Sequence, residues 1–266
     1  MSARQNNTFS FAFIADPQIG MNSPSGLRGP RSDKERLDLA IEYVNNNEVA
    51  FVIFGGDQIN SANDENTDAQ LDVLEECLAK LTVPYYGVIG NHEQGPPTQS
   101  YKYIERGLPV RFSLSYRNAF FVGINCSWLR GAYGDEYMQN ELDYLETHFS
   151  RFPADCEHGF VVMHWPLFAS HPGEDDTYWN MPNRDQLIDL FKKYKVTCVL
   201  SGHWQQDTDA RWNDISLITS VGTSMALQYP EEPSFKIITV FRGGWSIRRV
   251  STTEGLHEDT DETCSP

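Results

Sequence analysis

The chain has 266 residues, 40% of them hydrophobic, enough for one substantial core or two small domains. Acidic residues (37) outnumber basic ones (21), and the formal net charge of −16 excludes a broad nucleic-acid-binding surface, which needs a basic patch. No apolar run approaches the roughly 18 residues of a membrane-spanning helix, and the N-terminal stretch lacks a signal peptide's apolar core. The expectation is a soluble, cytoplasmic protein with no membrane partner.

The segment FSFAFIAD (9–16) is a β-rich run that ends in an acid. SDKERLDLAIEYVNNN (32–47) spaces its apolar residues by three to four behind a serine, which predicts a capped helix. VAFVIFGGD (49–57) is a continuous apolar run with the look of a buried parallel strand. A helix is predicted over 68–81, a strand over 83–93, and two strands around an Arg-Asn turn over 111–126. Helices over 135–149 and 183–194 alternate with strands over 159–165 and 196–203. ISLITSV (215–221) follows, then FKIITVF and WSIRRVS (235–241 and 245–251), divided by Gly-Gly at 243–244 as in a hairpin. Residues 252–266 are polar and acidic without periodicity, and are expected to be a disordered tail. No linker or repeat divides 1–251, so one α/β domain with layered sheets between helices is predicted. Cys77, Cys126 and Cys198 lie in apolar periodic stretches, as reduced core thiols do.

Five predicted strands end in a residue able to bind a metal: Asp16, Asp57, Asn91 with His92, His164, and His203. In open α/β sheets, ligands bind beyond the carboxyl ends of the strands. One aspartate after a strand is ordinarily a turn residue or a helix cap. One histidine such as His164 is ordinarily a hydrogen-bonded structural residue. The glycines in GGD, GNH and SGH let backbone loops crowd one small volume, and five such endings exceed what turn chemistry explains.

This ordered series resembles the calcineurin-like metallophosphoesterase superfamily, whose blocks run D-x-H, G-D, G-N-H-D/E, H and G-H-x-H. The likeness covers roughly residues 9–250 and is strong in four of the five blocks. ADPQIG at the first block, and HWPLF followed by EDDTYWNMP at the fourth, resemble the narrower calcineurin-like phosphoesterase domain-containing protein 1 group. That resemblance implies a layered β-sandwich flanked by helices. It implies one metal on Asp57, Asn91, His164 and His203, and a neighbouring metal on Asp16, bridging Asp57, and positions 18 and 205. Both of those last positions are glutamine here. The narrower group shares glutamine at the first of them and usually keeps histidine at the second. Amide oxygens suit Mg²⁺, Mn²⁺ or Ca²⁺ and disfavour ions held by imidazole, so Gln18 and Gln205 predict a weakly held second ion. The first position, with two imidazoles, a carboxylate and an amide oxygen, suits Mn²⁺, Fe²⁺ or Zn²⁺.

The activity implied is hydrolysis of phosphate esters by a metal-activated hydroxide, monoesters before diesters, on a small molecule or a phosphoprotein. His92 is expected to serve the leaving group, with Glu93 orienting it. Arg130, Trp165, Tyr178, Trp179 and Trp204 flank the motifs and are candidate substrate contacts. The alternative class is a one-metal member that acts as a binding scaffold or in non-hydrolytic chemistry, and the two glutamines favour it.

Overall fold

A computed structural model describes residues 7–21, 32–62, 65–94, 101–131, 133–153, 156–169, 171–174, 179–182, 184–225, 231–253 and 262–264. In chain order the elements are β1 (Phe9–Ile14), α1 (Asp33–Asn46), β2 (Val52–Phe54), α2 (Thr67–Leu78), β3 (Tyr85–Gly87) and α3 (Tyr101–Glu105). Then come β4 (Phe112–Tyr116), β5 (Ala119–Gly123), α4 (Cys126–Leu129), α5 (Asp135–Phe149), β6 (His158–Met163) and α6 (Arg184–Lys193). The chain closes with β7 (Cys198–Ser201), β8 (Thr208–Trp212), β9 (Ile215–Thr219), β10 (Ser234–Phe241), β11 (Gly244–Ser251) and β12 (Glu262–Cys264).

Two six-stranded mixed sheets form a sandwich, ordered β12-β11-β10-β1-β2-β3 and β4-β5-β6-β7-β9-β8. Strand β1 shows why: Phe9, Phe11 and Phe13 point into the core between the sheets, while Ala12 and Ile14 face a second core under the α1 and α2 helices. Both faces are apolar because both are covered. Phe11 stacks on Phe51 within the first sheet and Phe121 on Phe160 within the second, and edge-on contacts of Phe11 and Phe51 with Phe121 interlock the two sheets. Helices α5 and α6 cover the outer face of the second sheet through Leu145, Phe149, Leu187 and Phe191.

The local signals operate as read. Ser32 caps α1 reciprocally: its hydroxyl accepts the Glu35 N–H, and the Glu35 carboxylate accepts the Ser32 N–H at 2.9 Å. Tyr116 pairs with Ala119 across the Arg117-Asn118 turn, and Phe241 with Gly244 across Arg242-Gly243. Cys77, Cys126 and Cys198 are buried thiols outside any disulfide. Burial pushes Cys77 and Cys126 up to about 12, so neither is a ready nucleophile.

Two differences stand out. The polar stretch after His203 forms β8, an edge strand antiparallel to β9, whose lack of buried alternation hid it. In the stretch expected to be a disordered tail, Thr252 is buried and bonded to Pro233 and Thr223, and Glu262–Cys264 pair with β11. The rest of that stretch beyond Thr253 lies outside the described residues. Among the described residues, no helix is long and apolar enough to cross a membrane.

Candidate metal centre

Strands β1, β2 and β3 run parallel in one sheet and β6 and β7 in the other, and each carries a motif residue beyond its carboxyl end. Asp16, Asp57, Asn91, His164 and His203 all follow such ends, and the loops are short enough to bring them to one rim. Asp57, His164 and His203 each offer a ligand atom, all within 4.8 Å of one another, and all three are buried. His164 Nε2 lies 3.0 Å from Asp57 Oδ2 and 3.1 Å from Asn91 Oδ1. These four residues are the set expected for the first ion.

The backbone is bent to reach this arrangement. Asp16, Gln18, Asp57, His203 and Gln205 all have positive φ, between 42° and 59°. Left-handed backbone at non-glycine residues costs about 1–3 kcal/mol each and persists only where the surroundings over-determine it. Glycine supplies the remaining room. A Cβ on Gly90 would come within 2.1 Å of Asp57 Oδ1, and one on Gly202 within 2.4 Å of Asp16 Oδ2.

Supporting groups set the ligand atoms. His164 Nδ1 donates to the Gly55 carbonyl at 2.8 Å, so Nε2 faces the Asp57–Asn91 side. Burial opposes charge on His164, but the Asp57 carboxylate outweighs it and raises the imidazole to about 9. Burial likewise works against ionised Asp57, yet His164, His92 and His203 hold it down to about 2. Asp16 has less compensation, and burial pushes it up to about 7. A cation among these groups replaces the protons that balance the charge here.

The expectation for Glu93 is corrected. Its buried carboxylate does not touch the His92 ring; it accepts the backbone N–H groups of Asp57 (3.0 Å), Ile59 (2.9 Å) and Gly90 (2.7 Å). Burial and the Asp57 charge raise it to about 7. Glu93 ties the second and third motif loops together. The Asn60 carbonyl orients His92 instead, accepting from Nδ1. His92 Nε2 then lies 3.2 Å from Gln18 Nε2 and 3.8 Å from Asp57 Oδ2, with the ring partly exposed.

Gln18 and Gln205 meet beside Asp16. Gln205 Nε2 donates to Asp16 Oδ1 at 3.3 Å and to Gln18 Oε1 at 3.2 Å. Asp16 Oδ2 accepts the His203 N–H at 3.1 Å. The Gln205 amide oxygen is buried with no hydrogen-bond partner, which costs about 1–3 kcal/mol. Turning that amide would bring the oxygen to face Asp16 and Gln18, where a cation would satisfy it. The donor set at both positions therefore fits divalent ions, imidazole-rich at one and all-oxygen at the other.

The aromatic candidates gather around His203. Trp165 and Trp179 have ring centroids 5.0 and 5.3 Å from its imidazole, and Trp204 meets Trp179 edge-on at 5.2 Å. Trp165 is buried, so it packs behind the histidines and is no part of an open rim. The Arg130 guanidinium lies 4.6 Å over the Trp165 ring and donates to the Asn180 carbonyl at 3.2 Å. Tyr178 lies outside the described residues. Sequence reading passed over Gln94, whose amide bonds Gly90, Ser127 and Tyr133 directly beyond the Asn91-His92 pair. Its place next to the G-N-H-E block was the available signal; Ser127 and Tyr133 had none.

The profile of the family described as calcineurin-like phosphoesterase matches residues 9–207, which spans all five motif endings. The chain belongs to the calcineurin-like phosphoesterase family. It is a hydrolase of the metallophosphoesterase type, a family whose chemistry depends on divalent metals, and its sandwich is the family fold. It is 24% identical over 242 residues to the rat serine/threonine-protein phosphatase CPPED1, covering 80% of this chain and 74% of that one. It is 20% identical over 243 residues to the 3′,5′-cyclic adenosine monophosphate phosphodiesterase CpdA of Haemophilus influenzae, covering 87% and 82%. A solved dimetal phosphatase from Danio rerio superposes with a TM-score of 0.71 at 17% identity, covering 97% of this chain and 98% of that one.

Proposed function

We propose that this phosphoesterase hydrolyses phosphomonoesters, with one ion held tightly by Asp57, Asn91, His164 and His203. A second ion would be held weakly by Asp16, Gln18 and Gln205 beside Asp57. The observation that carries the reading is the convergence of His164 Nε2, Asp57 Oδ2 and Asn91 Oδ1 to about 3 Å, with His92 alongside. When bound, divalent ions supply positive charge for the phosphoryl oxygens and lower the pKa of water. The protein's own groups do the rest. His92, tethered at Nδ1, would in its doubly protonated form hand the Nε2 proton to the leaving oxygen and be left neutral. Arg130 is half-buried against Trp165, and adds a fixed cation for a dianionic phosphate in an otherwise acidic molecule. Trp179 and Trp204 offer apolar surface for an organic leaving group.

Phosphoprotein phosphatases among the relatives favour a monoester, small or protein-borne, over the diester suggested by CpdA. The compartment expected is the cytoplasm. The test is metal analysis of protein purified without chelator, paired with turnover of a phosphomonoester and a matched diester under added Mn²⁺, Mg²⁺ and Zn²⁺. Asp57→Asn is expected to lower ion content and turnover by more than about 100-fold, beyond what loss of a supporting group does.

One observation favours a second reading. Gln205 Nε2 already bridges Asp16 and Gln18, so the weak position is partly satisfied without an ion. A one-metal binding scaffold follows if no ester is turned over whatever divalent ion is supplied.

A further inference from the structure

Behind the Gln205 loop lies an ionic cluster with no part in the chemistry above. Asp207, two residues beyond Gln205, sits 2.9 Å by Oδ1 from the Nζ of Lys236, whose side chain is only 7% exposed. Its Oδ2 is 3.4 Å from Arg249 Nε. Lys236 and Arg249 are cross-strand partners in the β10–β11 hairpin, so one carboxylate from the second sheet is gripped by two cations of the first. Arg249 is braced by the Ser234 hydroxyl at 2.9 Å and the Glu232 carbonyl at 2.8 Å. The Asp207 N–H donates to Glu231 at 3.1 Å.

The same carboxylate reaches the other half of the weak position. Asp207 Oδ1 accepts the Val221 N–H at 3.0 Å. Two residues on, Thr223 bonds the Ala15 carbonyl through both N–H (2.9 Å) and hydroxyl (2.8 Å), and the Ser224 hydroxyl bonds the Pro17 carbonyl. Asp207 thus holds the Gln205 loop directly and the Asp16–Gln18 loop through residues 221–224. The other ion position has further supports of its own, although the His203 N–H also rests on Asp16 Oδ2. Gly55 fixes His164, Glu93 fixes Asp57, and His203 is wedged among His164, Trp165 and Trp179. Removing one partner of such a cluster leaves a charge on a largely buried side chain uncompensated, which disfavours the present placement of the loop.

Resting on the two-position reading above, we infer that Asp207, Lys236 and Arg249 are positioning residues for the Asp16–Gln18–Gln205 site. They set its ion affinity without setting that of the Asp57–Asn91–His164–His203 site.

The test is Mn²⁺ binding to the full chain, followed by electron paramagnetic resonance of the free ion, for wild type, Lys236→Met, Lys236→Arg and Asp207→Asn. Wild type is expected to show one tight and one weak class. Lys236→Met should weaken the weak class about 10–100-fold, as loss of a supporting group does, and leave the tight class in place. Lys236→Arg keeps the charge and should retain most of the weak-class affinity. Asp207→Asn keeps its shape while losing the charge, and carries the same test should Lys236→Met not fold. Equal weakening of both classes marks a merely structural cluster and overturns the inference, as does no change in either. A wild-type protein with a single class overturns the two-position reading itself, and the inference with it.

Discussion

Glu93 and Asp57 are joined through backbone: the Glu93 carboxylate accepts the Asp57 N–H at 3.0 Å, while the Asp57 carboxylate accepts the N–H of His92 at 2.9 Å. The two motif loops close a ring in which each acid holds the other's chain. Glu93→Gln puts an amide N–H₂ against backbone donors that two carboxylate oxygens now satisfy. It should destabilise the protein by about 1–3 kcal/mol and loosen the tight ion. Urea unfolding with and without Mn²⁺ reads both, and unchanged stability removes Glu93 as the tie between the loops.

His92 has one ring nitrogen available for the proposed proton transfer, since Nδ1 is committed to the Asn60 carbonyl. His92→Ala should therefore keep its ions and its fold. It should lose about 10²–10⁴-fold in turnover on alkyl phosphates and far less on nitrophenyl phosphate, whose leaving group needs no proton. Equal losses on the two substrates count against a proton-delivering role.

At position 205 the neutral amide competes poorly with water for a hard cation. Gln205→His adds an imidazole beside Asp16 and Gln18. It should raise occupancy of the second position and move ion preference from Mg²⁺ and Mn²⁺ toward Zn²⁺. Inductively coupled plasma analysis after dialysis against mixed ions gives the answer; an unchanged metal profile rules out Gln205 as a ligand.

The ion-free site also carries a pH signature. Asp16 and Glu93 are raised to about 7, and His164 to about 9. For all three, the folded protein binds more protons than the unfolded chain between the two pKa values, so stability falls as pH rises through that window. Depressed Asp57 acts in the opposite sense only below about 4, where the unfolded carboxylate titrates. Thermal unfolding in chelator should thus give a melting temperature that declines from about pH 5 to pH 9. Saturating Mn²⁺ should flatten or reverse the decline, because ion binding displaces those protons. Parallel curves with and without Mn²⁺ would sink this account.

The five strand ends were legible because each rests on short-range signals: a run of apolar residues, a glycine, then a polar group. Periodicity and turn chemistry operate over a few residues, so Ser32 as a cap, the Arg117 turn and the placing of Asp57, His164 and His203 at strand ends that meet could be read from the chain alone. Contacts between distant segments could not. Glu93 looked like a partner for the histidine beside it, yet its oxygens go to backbone on a loop 34 and 36 residues away. Gln205 reads in sequence as a weak, retuned ligand. Only the meeting of residues 187 and 189 positions apart shows its nitrogen engaged with Gln18 and Asp16 and its oxygen left without a donor. Lys236 reads as one polar interruption of an apolar strand, and its partner comes from the other sheet. The reason is physical: local propensity chooses elements and the residues at their ends, whereas ion affinity depends on sub-ångström placement, which bonds between distant loops and the packing of the two sheets set together.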